Sequence, residues 1–201
     1  MPSPAVSRIG RPRQFDVDEL VATTLQLFWS NGYRNTSTRD LEGALGVTQS
    51  SLYHAFGSKA GLLDAVLDRY QEAVDTSLLE PLRDAPDGSA GLATFLRGLG
   101  TWMAADGRGC LMVNLMVDEA PTNTAIATRT AAHRERLRAA LRVAVEKVSG
   151  SGGTETVDRR TDLLLAATLG LNLAARAGAS ATELARIIAG VDAEVASWST
   201  P

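Results

Sequence analysis

Apolar residues recur along this chain at three- and four-residue spacing, the signature of helices that bury one face. The first stripe is Val17, Leu20, Val21, Thr24, Leu25 and Phe28, opened by Asp16 with Glu19 and stopped at Gly32. A shorter stripe, Leu41, Ala44 and Leu45, follows Ser37, which has Asp40 three residues on in a capping-box arrangement. Gly46 can take the left-handed conformation that ends a helix, and Val47 can plug the corner. Thr48 can cap a third helix with Leu52, Ala55 and Phe56 inward, which leaves Gln49, Ser50, Tyr53 and His54 pointing out. Helix, tight glycine-containing turn, short helix with a polar outer face: the pattern is a helix-turn-helix.

The rest of the chain keeps the helical period. Ser58 caps a fourth helix with Leu62, Leu63, Val66, Leu67, Tyr70 and Val74 in one stripe, expected to end near Glu80, before Pro81. Residues 84–91 read as a loop. Leu92, Phe95, Leu96 and Leu99 mark a helix that ends near Ala105, ahead of Gly107 and Gly109. Residues 110–117 are apolar nearly all round, so they are expected to be buried, and they end before Pro121. A long helix over about 123–148 carries Ile126, Thr130, Leu137, Leu141, Ala144, Val145 and Val148, with a flexible loop over 149–153 after it. Helices over about 157–177 and 181–198 close the chain. No internal repeat and no convincing strand is present. The expected fold is all-α with about nine helices: a basic arm over 1–15, a three-helix head over 16–60 and a helical body over 61–201.

Composition narrows the function. Ala and Leu outweigh Val, Ile and the aromatics, which favours helices, and 201 residues suffice for one large domain or two small ones. No apolar run reaches the roughly twenty residues that span a membrane. Residues 1–14 lack the apolar core of a signal peptide, so a cytoplasmic location and no membrane partner are expected. A single cysteine, Cys110, excludes an internal disulfide framework, and with only His54 and His133 beside it neither a metal nor a cofactor is expected. No nucleophile sits beside a base in a recognisable motif, no phosphate loop is present, and His133 lies on a charged helix where solvated polarity explains it; an enzyme is not expected. The net charge of −3 argues against a generic polyanion binder, but its distribution is uneven. Arg8, Arg11 and Arg13 precede any acidic residue, and beyond residue 60 the balance turns acidic. A basic arm on an acidic body suits docking of nucleic acid at one end, with Arg11 and Arg13 placed to enter a minor groove; the other reading of the arm is a solvated tail.

The run GYRNTSTRDLEGALGVTQSSLYHAFGSKAGLL resembles the N-terminal domain of the TetR/AcrR family of bacterial transcriptional regulators. Gly32, Thr36, Ser37, Arg39, Leu41, Gly46, Val47, Leu52, Tyr53, Phe56, Lys59, Leu62 and Leu63 stand at that family's spacing. The resemblance covers about the first third of the chain. Ser50 stands where many members carry Gly and Ala55 where many carry His, departures that bear on DNA contacts rather than on the fold. It implies a DNA-binding regulator, commonly a repressor, whose twofold dimer reads a pseudo-palindromic operator. By their chemistry Gln49, Ser50 and His54 are the candidates to meet base edges, since Gln can bond adenine in a bidentate way. Tyr53 and Lys59 are phosphate contacts as in the family, with Ser37, Arg39 and Thr48 at helix starts, where backbone N–H groups favour phosphate.

A helical body behind such a head suggests an effector switch; the alternative is an architectural DNA-binding protein without an effector. Phe95, Leu99, Trp102, Met103, Met112 and Met116 cluster in sequence and can line a soft pocket for a small-molecule effector; ordinary core is the other reading. Arg108-Gly109-Cys110-Leu111-Met112-Val113-Asn114 resembles the RGCLxVN stretch at the start of the sixth helix in one branch of the family, where some members sense electrophiles or oxidants through the cysteine. A helix N-terminus and Arg108 would both lower the thiol pKa; alternatively Cys110 is a small buried hydrophobe. Leu164, Leu171, Leu184, Ile188, Val191 and Val195 on the last two helices pack either within the subunit or, as the resemblance implies, in a four-helix interface of a homodimer.

Overall fold

The computed structural model of the protein describes residues 16–149 and 153–198, and among these every regular element is helical. The helices are α1 (Val17–Asn31), α2 (Thr38–Leu45), α3 (Gln49–Phe56), α4 (Lys59–Val74), α5 (Glu80–Asp84), α6 (Gly88–Asp106), α7 (Leu111–Asp118), α8 (Thr124–Ser149), α9 (Thr154–Arg176) and α10 (Ala181–Ser197). A π-helical turn, Asp75–Leu79, joins α4 to α5 without a break, so the ten helices form nine rods. Arg11 and Arg13, with the whole basic arm, lie outside the described residues, as does most of the expected loop after Ser149.

Local chemistry sets the helix starts. The Asp16 carboxylate accepts from the N–H groups of Asp18 and Glu19, Thr48 Oγ1 from that of Ser51, Ser58 Oγ from that of Gly61, and Asp87 from those of Ser89 and Ala90. Ser37 with Asp40 and Ser180 with Glu183 close full capping boxes. Each such cap stabilises its helix by about 1 kcal/mol. The Asp87 cap is why the expected loop over 84–91 is shorter than predicted: α6 begins at Gly88, whose lack of a side chain lets it lie against the Ala144 carbonyl, 2.3 Å from where a Cβ would sit. Nor does Pro81 end the fourth helix. The chain widens into the π turn first, and Pro81 follows it in the opening turn of α5, where the widened turn accommodates its missing N–H.

In the head, α1 packs on α2 and α4, and α3 on α2 and α4, around Phe28, Leu41, Leu52 and Leu62. The expected boundary between residues 60 and 61 falls inside α4, which carries the same core onward through Val66 and Leu67 to Tyr70. In the body α8 is central, touching α5, α6, α7 and α9, and its Ala140, Leu141, Ala144 and Val145 have no exposed surface. The last helix closes the body by lying on α6 and α9.

Three parts of the predicted stripes face solvent instead. Val17 is 48 % exposed at the first turn of α1. Ala44 and Ala55 are exposed because α2 and α3 span about two turns each, and one fully buried leucine apiece, Leu41 and Leu52, takes up the contact. The segment 110–117 is not buried all round: Leu111 to Leu115 are, but Val117 is 53 % exposed where α7 runs out to the surface.

Candidate nucleic-acid interface and the body behind it

The outer face of α3 presents Gln49, Ser50 and His54 to solvent. Tyr53 is half-buried against the head core, its hydroxyl 3.4 Å from Thr38 Oγ1. Thr48 Oγ1 bonds the hydroxyls of Ser50 and Ser51 at 2.9 and 3.0 Å besides capping the helix. Gly46, at φ +64°, supplies the left-handed residue that ends α2, so α3 leaves at the angle the turn requires. One feature was not legible in the sequence: Glu42 Oε1 accepts from the Gln49 N–H at 2.6 Å. That carboxylate occupies the first donor of α3, and the Asp40 carboxylate likewise occupies the Ser37 N–H at 2.7 Å. Hydrogen bonds from Ser37 hold the Asp40 carboxyl below its usual range. The N–H groups of Ser37 and Gln49 are therefore both taken within the head, and the Ser37 hydroxyl also donates to Asp40 at 2.7 Å, while Arg39 is exposed.

Lys59 is held more firmly than a surface lysine. Its ammonium donates to the Tyr33 carbonyl at 2.6 Å and lies 4.4 Å above the Tyr33 ring, which itself packs edge-on to Phe28. Burial pushes its pKa down. An ammonium carries three donors, so this anchor leaves capacity for a phosphate.

The head meets the body along a polar seam built from residues far apart in sequence. Trp29 Nε1 donates to the Gly109 carbonyl at 3.1 Å. Arg108 stacks 4.4 Å from the Trp29 ring and donates to Ser30 Oγ and Gln26 Oε1 on α1. Arg34 pairs with the buried Glu119 at 3.2 Å and with Thr122 at 3.0 Å. Arg108 therefore does not reinforce a thiolate at Cys110; its guanidinium is spent on α1. Behind the seam, Trp29, Tyr70 and Trp102 stack edge to face in sequence, at 5.2 and 6.1 Å, ending at the body cavity.

That cavity lies between α4, the π turn, α6, α7, α8 and α9, and holds about 40 Å³. Five of the residues singled out for a pocket converge on it: Phe95, Leu99, Trp102, Met103 and Cys110. Met112 and Met116 do not; Met112 points to the opposite side of His133 and Met116 is half-buried elsewhere. The volume suits a water or two, not a molecule of ordinary ligand size, so a larger effector has to widen it.

Cys110 and His133 meet in the wall of this cavity. His133 is buried, contrary to the solvated placement its charged neighbours imply; the charges of Arg134 and Glu135 point outward while its ring turns in. Its Nδ1 lies 2.7 Å from Gln71 Oε1 and its Nε2 3.8 Å from Cys110 Sγ. Burial pushes the imidazole down to about 4, so the ring is neutral, Nδ1 donates to Gln71, and Nε2 accepts from the thiol. Burial pushes the Cys110 thiol up, against the smaller opposing pull of Tyr70 and of the α7 N–H groups. The helix N-terminus does not make a thiolate here; desolvation outweighs it.

On the last two helices, Leu164, Leu171, Leu184 and Val195 are buried within their own subunit, and Ile188 and Val191 are half-buried on the same core. The apolar side chains left outside are Leu163, Leu173 and Ile187, at 49, 40 and 39 % exposure. Stripe positions satisfy the nearest core first; the residues next to them on each helix face outward.

The architecture, an all-α body carrying a helix-turn-helix head, is like that of solved TetR-family regulators. Residues 20–66 match the family described as bacterial regulatory proteins, tetR family. Over 61 residues the chain is 48 % identical to the HTH-type transcriptional repressor ComR of Escherichia coli (strain K12), covering 30 % of this chain and 29 % of ComR. Over 75 residues it is 39 % identical to the HTH-type transcriptional repressor BdcR of the same strain, covering 37 % and 38 %. The chain thus matches these relatives over about a third of their length. A solved structure extends the likeness: a cysteine mutant of the TetR family transcriptional regulator CifR, complexed with 26-bp operator DNA, superposes with TM-score 0.81 at 26 % identity, over 94 % of this chain and all of that one.

Proposed function

We propose that the protein is a cytoplasmic transcriptional regulator: a homodimeric repressor that holds a pseudo-palindromic operator with two copies of α3 and releases it when the body cavity is filled or Cys110 is modified. The observation that carries this is the solvent-facing set Gln49, Ser50 and His54 on a short, capped helix, within a fold that superposes along its length on a regulator solved with operator DNA. Gln49, Ser50 and His54 read bases, while Arg39, Tyr53, Lys59 and the Thr48 hydroxyl take phosphates, joined by Ser37 when its hydroxyl turns from Asp40. Leu163, Leu173 and Ile187 supply an apolar face for the partner subunit. Release needs a coupling of about 1–3 kcal/mol between body and head. The seam of Arg108, Gly109 and Trp29 is the physical link, because Gly109 directly precedes Cys110 of the cavity wall and both Arg108 and Gly109 hold Trp29 of α1.

The test is fluorescence anisotropy on DNA from the protein's own upstream region, before and after a thiol-reactive electrophile, with Cys110→Ser alongside. Selective binding that is lost on treatment in the wild type alone supports both operator recognition and the thiol switch. Binding that responds in neither protein removes the thiol and leaves an apolar effector of the cavity. If a binding-site selection from random DNA also returns no motif, the regulator reading fails. In the same selection Gln49→Ala should change the preferred base at one position, and an unchanged motif removes Gln49 from base contact.

A further inference from the structure

On the far side of His133 from the body cavity, a polar groove of about 390 Å³ opens between α4, the π turn and α8. Asp68, Glu72, Asp75 and Glu80 face Arg129 and Arg136 across it, four carboxylates against two guanidiniums, with His133 neutral. Two of its polar atoms are buried without a hydrogen-bond partner: Gln71 Nε2, on a residue only 6 % exposed, and Asp75 Oδ1. Gln71 spends its Oε1 on His133, and Asp75 spends its Oδ2 on a long pairing with Arg136 at 3.9 Å. The two residues stand one helical turn apart and both line the groove. One is a donor and the other an anionic acceptor, and buried polar groups in folded proteins are ordinarily satisfied. Gln71 lies on the last turn of α4 and Asp75 opens the π turn that follows, a widening of the helix that recurs at functional sites.

We propose that this groove is a second small-molecule site, for a small organic cation that also carries a hydrogen-bond acceptor. The ammonium donates to Asp75 Oδ1 and is balanced by the groove's excess of carboxylates. The neighbouring carbonyl or hydroxyl oxygen takes the Gln71 Nε2 N–H. The site is separate from the apolar body cavity and does not depend on DNA binding.

Three methionines make the assignment directly readable. Met112 lines the groove, Met103 lines the body cavity and Met116 lines neither. The full-length protein, labelled with 13C at the methionine methyls, is titrated with glycinamide, with ethanolamine, and with acetamide as the uncharged control. The expected result is a saturable shift of the Met112 methyl, with Met103 unmoved, for one or both cations and not for acetamide. Asp75→Asn, which keeps the Gln71–His133 pair, should weaken that binding by roughly tenfold or more, as loss of a charged partner does. Gln71→Met should weaken it as well; should that variant not fold, Asp75→Asn decides alone. No saturable shift with either cation, a response centred on Met103, or an affinity indifferent to Asp75→Asn overturns the proposal.

Discussion

Replacing Gly109 by alanine tests the seam between head and body with an internal reference two residues away. Gly109 and Gly107 both sit in the left-handed region, at φ +66° and +68°. A Cβ on Gly107 would meet nothing within 4 Å, whereas on Gly109 it would lie 2.5 Å from the Asn172 carbonyl oxygen. Gly107→Ala should therefore cost only the left-handed penalty, about 1–2 kcal/mol. Gly109→Ala carries that penalty plus a backbone clash that no rotamer relieves, about 1–3 kcal/mol more by analogy with overpacked cores. The strand of chain it would displace also carries the carbonyl that Trp29 bonds. Urea unfolding of both variants at one protein concentration gives the difference directly, since the conformational term cancels. DNA affinity should fall more for Gly109→Ala than for Gly107→Ala, because only the former disturbs α1. Equal stabilities would mean that the loop can step away from α9 freely, and the seam would then be no link between cavity and head.

Three further outcomes follow from other contacts. Folded His133 titrates near 4 and its unfolded form near 6.5, so the unfolded state binds more protons between those values and stability falls as pH drops through that window; by urea denaturation the loss should approach roughly 3 kcal/mol at pH 4 and be absent in His133→Gln. Thr48→Ala removes the α3 cap, and should cost about 1 kcal/mol with faster amide exchange at Ser51 and weaker binding to every DNA sequence. Lys59→Ala should lower the slope of log affinity against log salt by about 0.9, one phosphate, while also loosening the turn at Tyr33; an unchanged slope in a salt titration would leave Lys59 as an internal anchor alone.

Much of the fold was legible in the residues, because it rests on local chemistry. The caps at Asp16, Ser37, Thr48, Ser58 and Ser180 and the left-handed Gly46 all operate within four residues. So does the exposure of Gln49, Ser50 and His54. The pocket was legible in part: Phe95, Leu99, Trp102 and Met103 share a helix face, and Cys110 follows them closely in the chain. Met112 and Met116 missed it because they sit one turn apart on a different face of α7 from Val113, which lines the cavity.

What periodicity cannot supply is the identity of the partner. It marked Leu164, Leu171, Leu184 and Val195 as apolar stripe, but whether a stripe meets its own subunit or a second one depends on where α6 and α8 lie. Arg108 stands beside Cys110 in sequence and reaches α1 in space; His133 sits among charges in sequence and turns inward to Gln71, 62 residues away. By itself the sequence determined the helices, most of their caps and the polar face that meets solvent on α3, because those depend on neighbours within one or two turns. Only the tertiary structure decided the protonation of the Cys110–His133 pair, the seam through Gly109 and the unsatisfied groove at Gln71 and Asp75. Burial and hydrogen-bond partnership are properties of residues brought together from distant parts of the chain.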